Sequence, residues 1–180
     1  MFWLELGRIL RAAEHPAEFH CAVVEGEFID AGTTRSFRTL AAGSGGILDS
    51  VVGGICQAGH EAVILECDLS GPVYASRGAI LHGLTRLHGP VEVPEDTVVH
   101  QMPVGVAGEH GWVMRVYGVE DDPKQTLEKA IWFNRPILEM LERLGLRCED
   151  VWVSGEAPTL WNVALFPVTK PEDAGQVLVG

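Results

Sequence analysis

The sequence predicts a mainly β protein, a short left-handed parallel β-helix with 18-residue coils flanked by α/β elements. Three observations predict it. Gly53-Gly54-Ile55, Gly71-Pro72-Val73 and Gly89-Pro90-Val91 recur at a constant spacing, since 71 − 53 = 18 and 89 − 71 = 18. Apolar residues keep the same register: Val51, Leu69 and Leu87 fall on one column, Val63, Leu81 and Val99 on another, Ile80 and Val98 on a third. Glycine and proline stand inside the repeating unit, which a helical repeat does not tolerate. Apolar columns at a fixed period mean that each period is one structural coil stacked on the last.

The elements follow in order. Phe2 to Glu14 carries Leu6, Ile9, Leu10 and Ala13 at helical spacing, and His15-Pro16 ends it. Phe19 to Ile29 reads as two short strands around Glu25-Gly26. After the turn Asp30 to Thr34, Thr33 or Thr34 caps a short helix through Phe37 and Leu40, which Gly43 closes. Gly43-Ser44-Gly45-Gly46 has no following lysine, so a linker suits it better than a phosphate loop. Three coils then span residues 45 to 103. Their length is similar to that of the three-hexapeptide coils of left-handed β-helices, about 18 residues each. Beyond Pro103, Trp112 to Val119 alternates as a strand, and Glu120 to Lys124 is a turn whose Asp and Pro suit the start of a short helix. Asn134 caps a helix with the stripe Ile137, Leu138, Leu141 and Leu144, an outer Glu139–Arg143 pair and Gly145 at its end. Trp152 and the apolar run Leu160 to Val168 pack back on the body, and Lys170 to Gly180 is a short helix or a tail.

The net charge of −12 leaves no basic face for nucleic acid or an anionic membrane. No apolar run reaches the ~20 residues of a membrane span, and the N-terminus lacks a basic region ahead of an apolar one. Cys21, Cys56, Cys67 and Cys148 show no C-x-x-C spacing, which suits reduced thiols in a cytoplasm. Cys56, His60 and Cys67 lack a fourth metal ligand, and small packed residues account for them better.

Three stretches carry a family resemblance. Phe28-Ile29-Asp30-Ala31-Gly32-Thr33-Thr34 is similar to the segment that closes the nucleotidyltransferase domain of sugar-1-phosphate guanylyltransferases. Thr97-Val98-Val99-His100-Gln101-Met102-Pro103, with Arg115-Val116-Tyr117-Gly118-Val119 and Asp121-Asp122-Pro123-Lys124, resembles the L-fucokinase and L-fucose-1-phosphate guanylyltransferase family. Leu160-Trp161-Asn162, ending in Leu165-Phe166-Pro167, completes the pattern, which covers most of residues 28 to 168. The resemblance implies three parts: residues 1–43 as the tail of a nucleotidyltransferase-like α/β domain, 44–103 as the β-helix, and 104–180 as an α/β segment closing it. It implies that the complete enzyme phosphorylates L-fucose with ATP, or couples fucose 1-phosphate to GTP, with magnesium. This chain carries neither the glycine-rich nucleotide loop of the first domain nor the phosphate loop of the kinase. No cofactor is therefore expected for it alone, and fucose 1-phosphate or L-fucose would be engaged together with other domains.

The resemblance also nominates residues. Asp30 would hold the magnesium that bridges the phosphates, Gly32 would admit close backbone approach, and Thr33 would offer an N–H at a helix start. An ordinary capping turn explains the same three residues. Arg115, Tyr117 and Lys124, beside Asp121 and Asp122, could grip a sugar phosphate or simply form a salt-bridged loop over the β-helix. Trp161 and Asn162 could stack on and bond a sugar, or pack in the core. His82 and His100 are one period apart (100 − 82 = 18) and should lie one above the other. Hexapeptide-repeat acyltransferases use such a histidine as a general base, although nothing else suggests a coenzyme A site.

Three functions stay open: a fucose-salvage β-helix serving as scaffold or oligomerisation surface with sugar-phosphate contacts, a stand-alone β-helix binding or assembly module, and a hexapeptide acyltransferase. Homo-oligomerisation would run through the coils.

Overall fold

The computed structural model describes residues 32–43, 46–87, 90–106, 109–152, 157–160 and 162–169. The chain divides into two compact units, Met1–Asp30 and Ala31–Gly180, and every described element belongs to the second. The helix expected from Phe2 to Glu14, the strands of Phe19 to Ile29, Asp30, Trp161 and the tail from Lys170 lie outside the described residues.

Nine short strands wind as three stacked coils. They are β1 (Ile47–Leu48), β2 (Val51–Val52), β3 (Cys56–Ala58), β4 (Val63–Leu65), β5 (Asp68–Leu69), β6 (Val73–Ala75), β7 (Ile80–His82), β8 (Thr85–Leu87) and β9 (Val91–Val93). Every third strand pairs in parallel: β1-β4-β7, β2-β5-β8 and β3-β6-β9. The result is a three-sided parallel β-helix, so the predicted solenoid is present. Its lumen holds Ile64, Leu81 and Val99 from one wall, Leu69 and Leu87 from the second, and Val73 and Val91 from the third, all nearly inaccessible. Small residues (Ala62, Ala79, Cys67) and one leucine, Leu84, fill the corners where two walls converge. Burial in this interior pushes the Cys67 thiol above its ordinary range.

The register corrects the expected columns. Ile47 pairs with Ile64, Cys56 with Val73 and Val63 with Ile80, a period of 17 residues. Between β5 and β8 the pairing passes from Asp68–Thr85 to Leu69–Leu87, so one extra residue, Arg86, enters as a β-bulge. From there the period is 18: Val73–Val91, Ile80–Val98, Leu81–Val99 and His82–His100. The partner of Leu69 in the first coil is therefore Val52, not Val51, and Val63 is neighbour to Ile80, not Leu81. Val51 and Ile55 are 66% and 60% exposed, because a one-residue slip turns a strand side chain to the opposite face.

The fourth strand of the first wall does not turn the corner. β10 (Thr97–Val106) runs on past the prism and pairs antiparallel with β11 (Glu109–Gly118), which takes β14 (Val168–Thr169) on its far edge. Thr85 thus loses the carbonyl that a further coil would have offered its N–H. The buried Gln101 side chain replaces it, its Oε1 accepting from Thr85 N at 2.6 Å. Met114 of β11 closes the lumen above.

Helix α1 (Thr34–Gly43) covers the outer face of the first wall, with Phe37, Ala41 and Ala42 on Val63, Ile80 and Val98. Thr33 Oγ1 accepts from Ser36 N at 3.1 Å, which selects Thr33 as its cap. The remainder gathers around a second core of Leu127, Ala130, Ile137, Leu141, Val151, Leu160 and Val163. It comprises the hairpin β12 (Ile131–Trp132) and β13 (Arg135–Pro136), then α2 (Ile137–Arg143) and α3 (Cys148–Val151). Three local expectations fail here. Glu120 to Lys124 forms turns with no helix. Asn134 does not cap α2: with Phe133 it occupies the left-handed positions of the hairpin turn (φ 60 and 50), and Pro136 precedes the helix with no side-chain cap. Leu138 and Leu144 are exposed because α2 buries only Ile137 and Leu141, one narrow stripe of a helix too short for more. Gly145 does end it, at φ +70. No described helix is long and apolar enough to cross a membrane.

Candidate functional site

The outer face of the first wall is only partly covered by α1. Beyond the helix, alternate residues of β4, β7, β10 and β11 point outward: Leu65, Ile80, His82, Val98, His100 and Tyr117. They floor a cleft of about 830 Å³. One bank is Gly32, Thr33, Thr34, Arg35 and Phe37 at the start of α1; the other is the turn from Val119 to Lys124. Four of the nominated residues, Gly32, Thr33, Tyr117 and Lys124, thus come together across 92 residues of sequence (124 − 32 = 92). The strand period explains the convergence: parallel coils bring equivalent outward positions onto one face, and α1 begins beside it.

The cleft is electrostatically mixed. Arg35 and Lys124 face Glu120, Asp121 and Asp122, one more negative charge than positive. Arg35 is already engaged, with 2.7 Å bonds to Glu120 that tie the two banks together. The first turn of α1 adds N–H groups and the positive end of its dipole, a feature that favours anions. Lys124 is exposed and its ammonium makes no ion pair with a described residue.

On the floor, the rings of His82 and His100 stack in parallel, with centroids 4.4 Å apart and planes within 5°. Glu66, at the corner after β4, meets His82 Nε2 at 3.3 Å. Burial, then the charges of His82 and Arg115, lower His100 to about 4, so it is a neutral imidazole at pH 7. Burial likewise raises the phenol of Tyr117.

Arg115 is cross-strand partner to His100 and shares its face of the sheet, but it leans aside from the cleft, its Nη2 reaching Leu160 O at 3.4 Å and its guanidinium lying 5.9 Å from the Phe166 ring. Asn162 is a local fastener: its Oδ1 accepts from Thr159 N at 2.8 Å and its Nδ2 donates to Ala157 O at 3.0 Å. Sequence reasoning placed Asp121 in the charged cluster but gave it no role of its own; it lines the cleft although it is 6% exposed. The signal was present in Gly118-x-x-Asp121, a tight turn that lets the carboxylate accept the Gly118 N–H. Among the described residues no group of three or more His, Cys, Asp or Glu could hold a metal ion.

Comparison with known families gives one match: the model described as the fucose pyrophosphorylase domain matches residues 17–171. No curated protein and no solved structure matches this chain.

Proposed function

Because the chain belongs to the fucose pyrophosphorylase domain family, we propose that it is the β-helix region of a fucose-salvage enzyme, serving as scaffold and lending its sheet-face cleft to a sugar phosphate. The observation that carries this is the convergence of Gly32, Thr33, Tyr117 and Lys124 on one cleft large enough for a monosaccharide phosphate. In this reading the phosphate lies against the start of α1 and Lys124, and the sugar ring lies over Tyr117 and the stacked histidines. The nucleotide would be held elsewhere in the complete enzyme, which would join fucose 1-phosphate to GTP with release of pyrophosphate, or phosphorylate L-fucose with ATP. Asp30 is the proposed magnesium ligand.

One free ammonium contributes only about 1 kcal/mol at contact distance in water, and the acidic bank opposes it. Millimolar affinity is therefore expected from the chain alone. Calorimetry with fucose 1-phosphate tests this: millimolar binding weakened by Lys124→Ala and by salt supports the site. Micromolar binding indifferent to Lys124→Ala would place the ligand elsewhere. The same protein with GTP, magnesium and fucose 1-phosphate should release no pyrophosphate above a control without enzyme.

The stacked imidazoles favour a second reading, a histidine base for acyl transfer, with Glu66 orienting His82. Binding of acetyl-coenzyme A near His82 would prefer it; its absence alongside sugar-phosphate binding would leave the first.

A further inference from the structure

Asp121 is a buried carboxylate with no basic ion-pair partner among the described residues. Its Oδ2 accepts two backbone hydrogen bonds, from Gly118 N at 2.7 Å and from Phe133 N at 3.1 Å. Oδ1 has no hydrogen-bond partner among the described residues, and the residue lines both the large cleft and the narrow seam beneath Trp132 and Phe166. Its position is strongly determined. A Cβ at Gly118 would come within 3.1–3.2 Å of the carboxyl group, so glycine is what lets the side chain lie flat on β11. The hairpin that supplies the Phe133 N–H holds an aromatic residue at φ 50, an unfavourable backbone for a bulky side chain. Backbone strain and a glycine are thus both committed to orienting one carboxylate.

A fastener between turn and hairpin would need only Oδ2. The second oxygen is an acceptor on a residue that lines the cleft together with Tyr117 and the neutral His100. Burial raises the Asp121 carboxyl above its ordinary range, and an acceptor in such a place suits a neutral hydroxyl donor. It is a poor neighbour for a phosphate, because like charges repel. We infer that Asp121 Oδ1 is the acceptor for a sugar hydroxyl, and that Asp121 is a specificity-determining residue reading the hydroxyl pattern of the ligand while the phosphate lies between the start of α1 and Lys124. The inference rests on the cleft being a sugar-phosphate site.

Asparagine separates the two roles of this side chain. In Asp121→Asn the amide oxygen can still accept from Gly118 and Phe133, while an uncharged NH₂ replaces Oδ1. The test is ligand-observed NMR titration of the full chain with L-fucose, fucose 1-phosphate and inorganic phosphate. Asp121→Asn should weaken both sugars about tenfold, the loss of one charge-assisted hydrogen bond, and leave inorganic phosphate unchanged. Sugar affinity equal to wild type, or an equal loss for phosphate and sugar, overturns the inference. A second measurement needs no variant. Among monodeoxy L-fucoses on the wild-type chain, one should lose about tenfold; equal affinity for all of them overturns it as well. If wild type binds none of the three ligands, the cleft reading itself fails, a result distinct from both.

Discussion

Arg38 of α1 donates to Asp96 at 2.6 Å, joining residues 58 apart in sequence at one corner of the β-helix. Glu61, Gly78 and Asp96 occupy the same corner of successive coils, two residues before the paired Val63, Ile80 and Val98. Two acidic corners thus flank a glycine, and the guanidinium enters the gap that the missing Cβ leaves, with Glu61 at 3.6 Å on its other side. The clamp fixes α1 across the first wall, and through it one bank of the cleft.

Gly78→Ala should therefore be among the most damaging small substitutions. A Cβ there would stand 2.6 Å from Arg38 Nη1, on a backbone at φ +68. Left-handed strain of about 1 kcal/mol and the displaced ion pair together predict a loss of about 2–3 kcal/mol. Chemical denaturation would measure it. An Arg38→Met background should reduce the penalty to the backbone part, and equal penalties in both backgrounds would argue against the clamp.

The register of the coils can be tested by a pair of substitutions. Leu69 is 1% exposed in the lumen of the middle coil, whereas Val51 is 66% exposed outside it. Leu69→Ala should cost about 2–5 kcal/mol and Leu69→Asp should unfold the array. Val51→Ala should change stability by less than about 0.5 kcal/mol. A large loss from Val51→Ala would restore the 18-residue alignment of the first coil.

Gln101 ends the solenoid by giving Thr85 N an acceptor. Gln101→Ala should leave that N–H orphaned and cost about 1–3 kcal/mol, with amide exchange at Thr85 accelerating more than at Leu81. Uniform acceleration of both amides would mean that the side chain does not cap locally.

His100 sets a pH dependence. Its folded value of about 4 lies below the ordinary 6.5, so between these values the unfolded chain takes up a proton that the folded chain refuses. Stability is complete above about pH 6.5 and falls as pH drops toward 4. The groups acting on His100 are His82, Arg115 and Glu66, of which only Glu66 favours protonation. Tm measured from pH 7 to 4.5 should fall more steeply in wild type than in His100→Gln. Parallel profiles would remove His100 from the cause, since the carboxylates titrate in both proteins.

The sequence by itself determined the β-helix, because a solenoid repeats one local geometry and its apolar periodicity is written along the chain. A cap at Thr33 or Thr34, the end of α2 at Gly145 and the stacking of His82 on His100 were legible for the same local reason. The family resemblance was legible too, in stretches that lie within the matched residues 17–171. Only the tertiary structure decided the register of the first coil. A single bulged residue, Arg86, changes the period from 17 to 18, and a slip of one keeps the composition of every column nearly apolar while turning each side chain over. It also decided which nominated residues share a cleft. Gly32, Thr33, Tyr117 and Lys124 do; Arg115, the cross-strand partner of His100 on the same face, leans instead to Leu160 and Phe166, because where a long side chain finds its partners depends on segments 45 and 51 residues further along the chain (160 − 115 and 166 − 115). The burial of Asp121 and its single open oxygen became visible only when the hairpin at Phe133 closed on it, since both are properties of packing rather than of sequence.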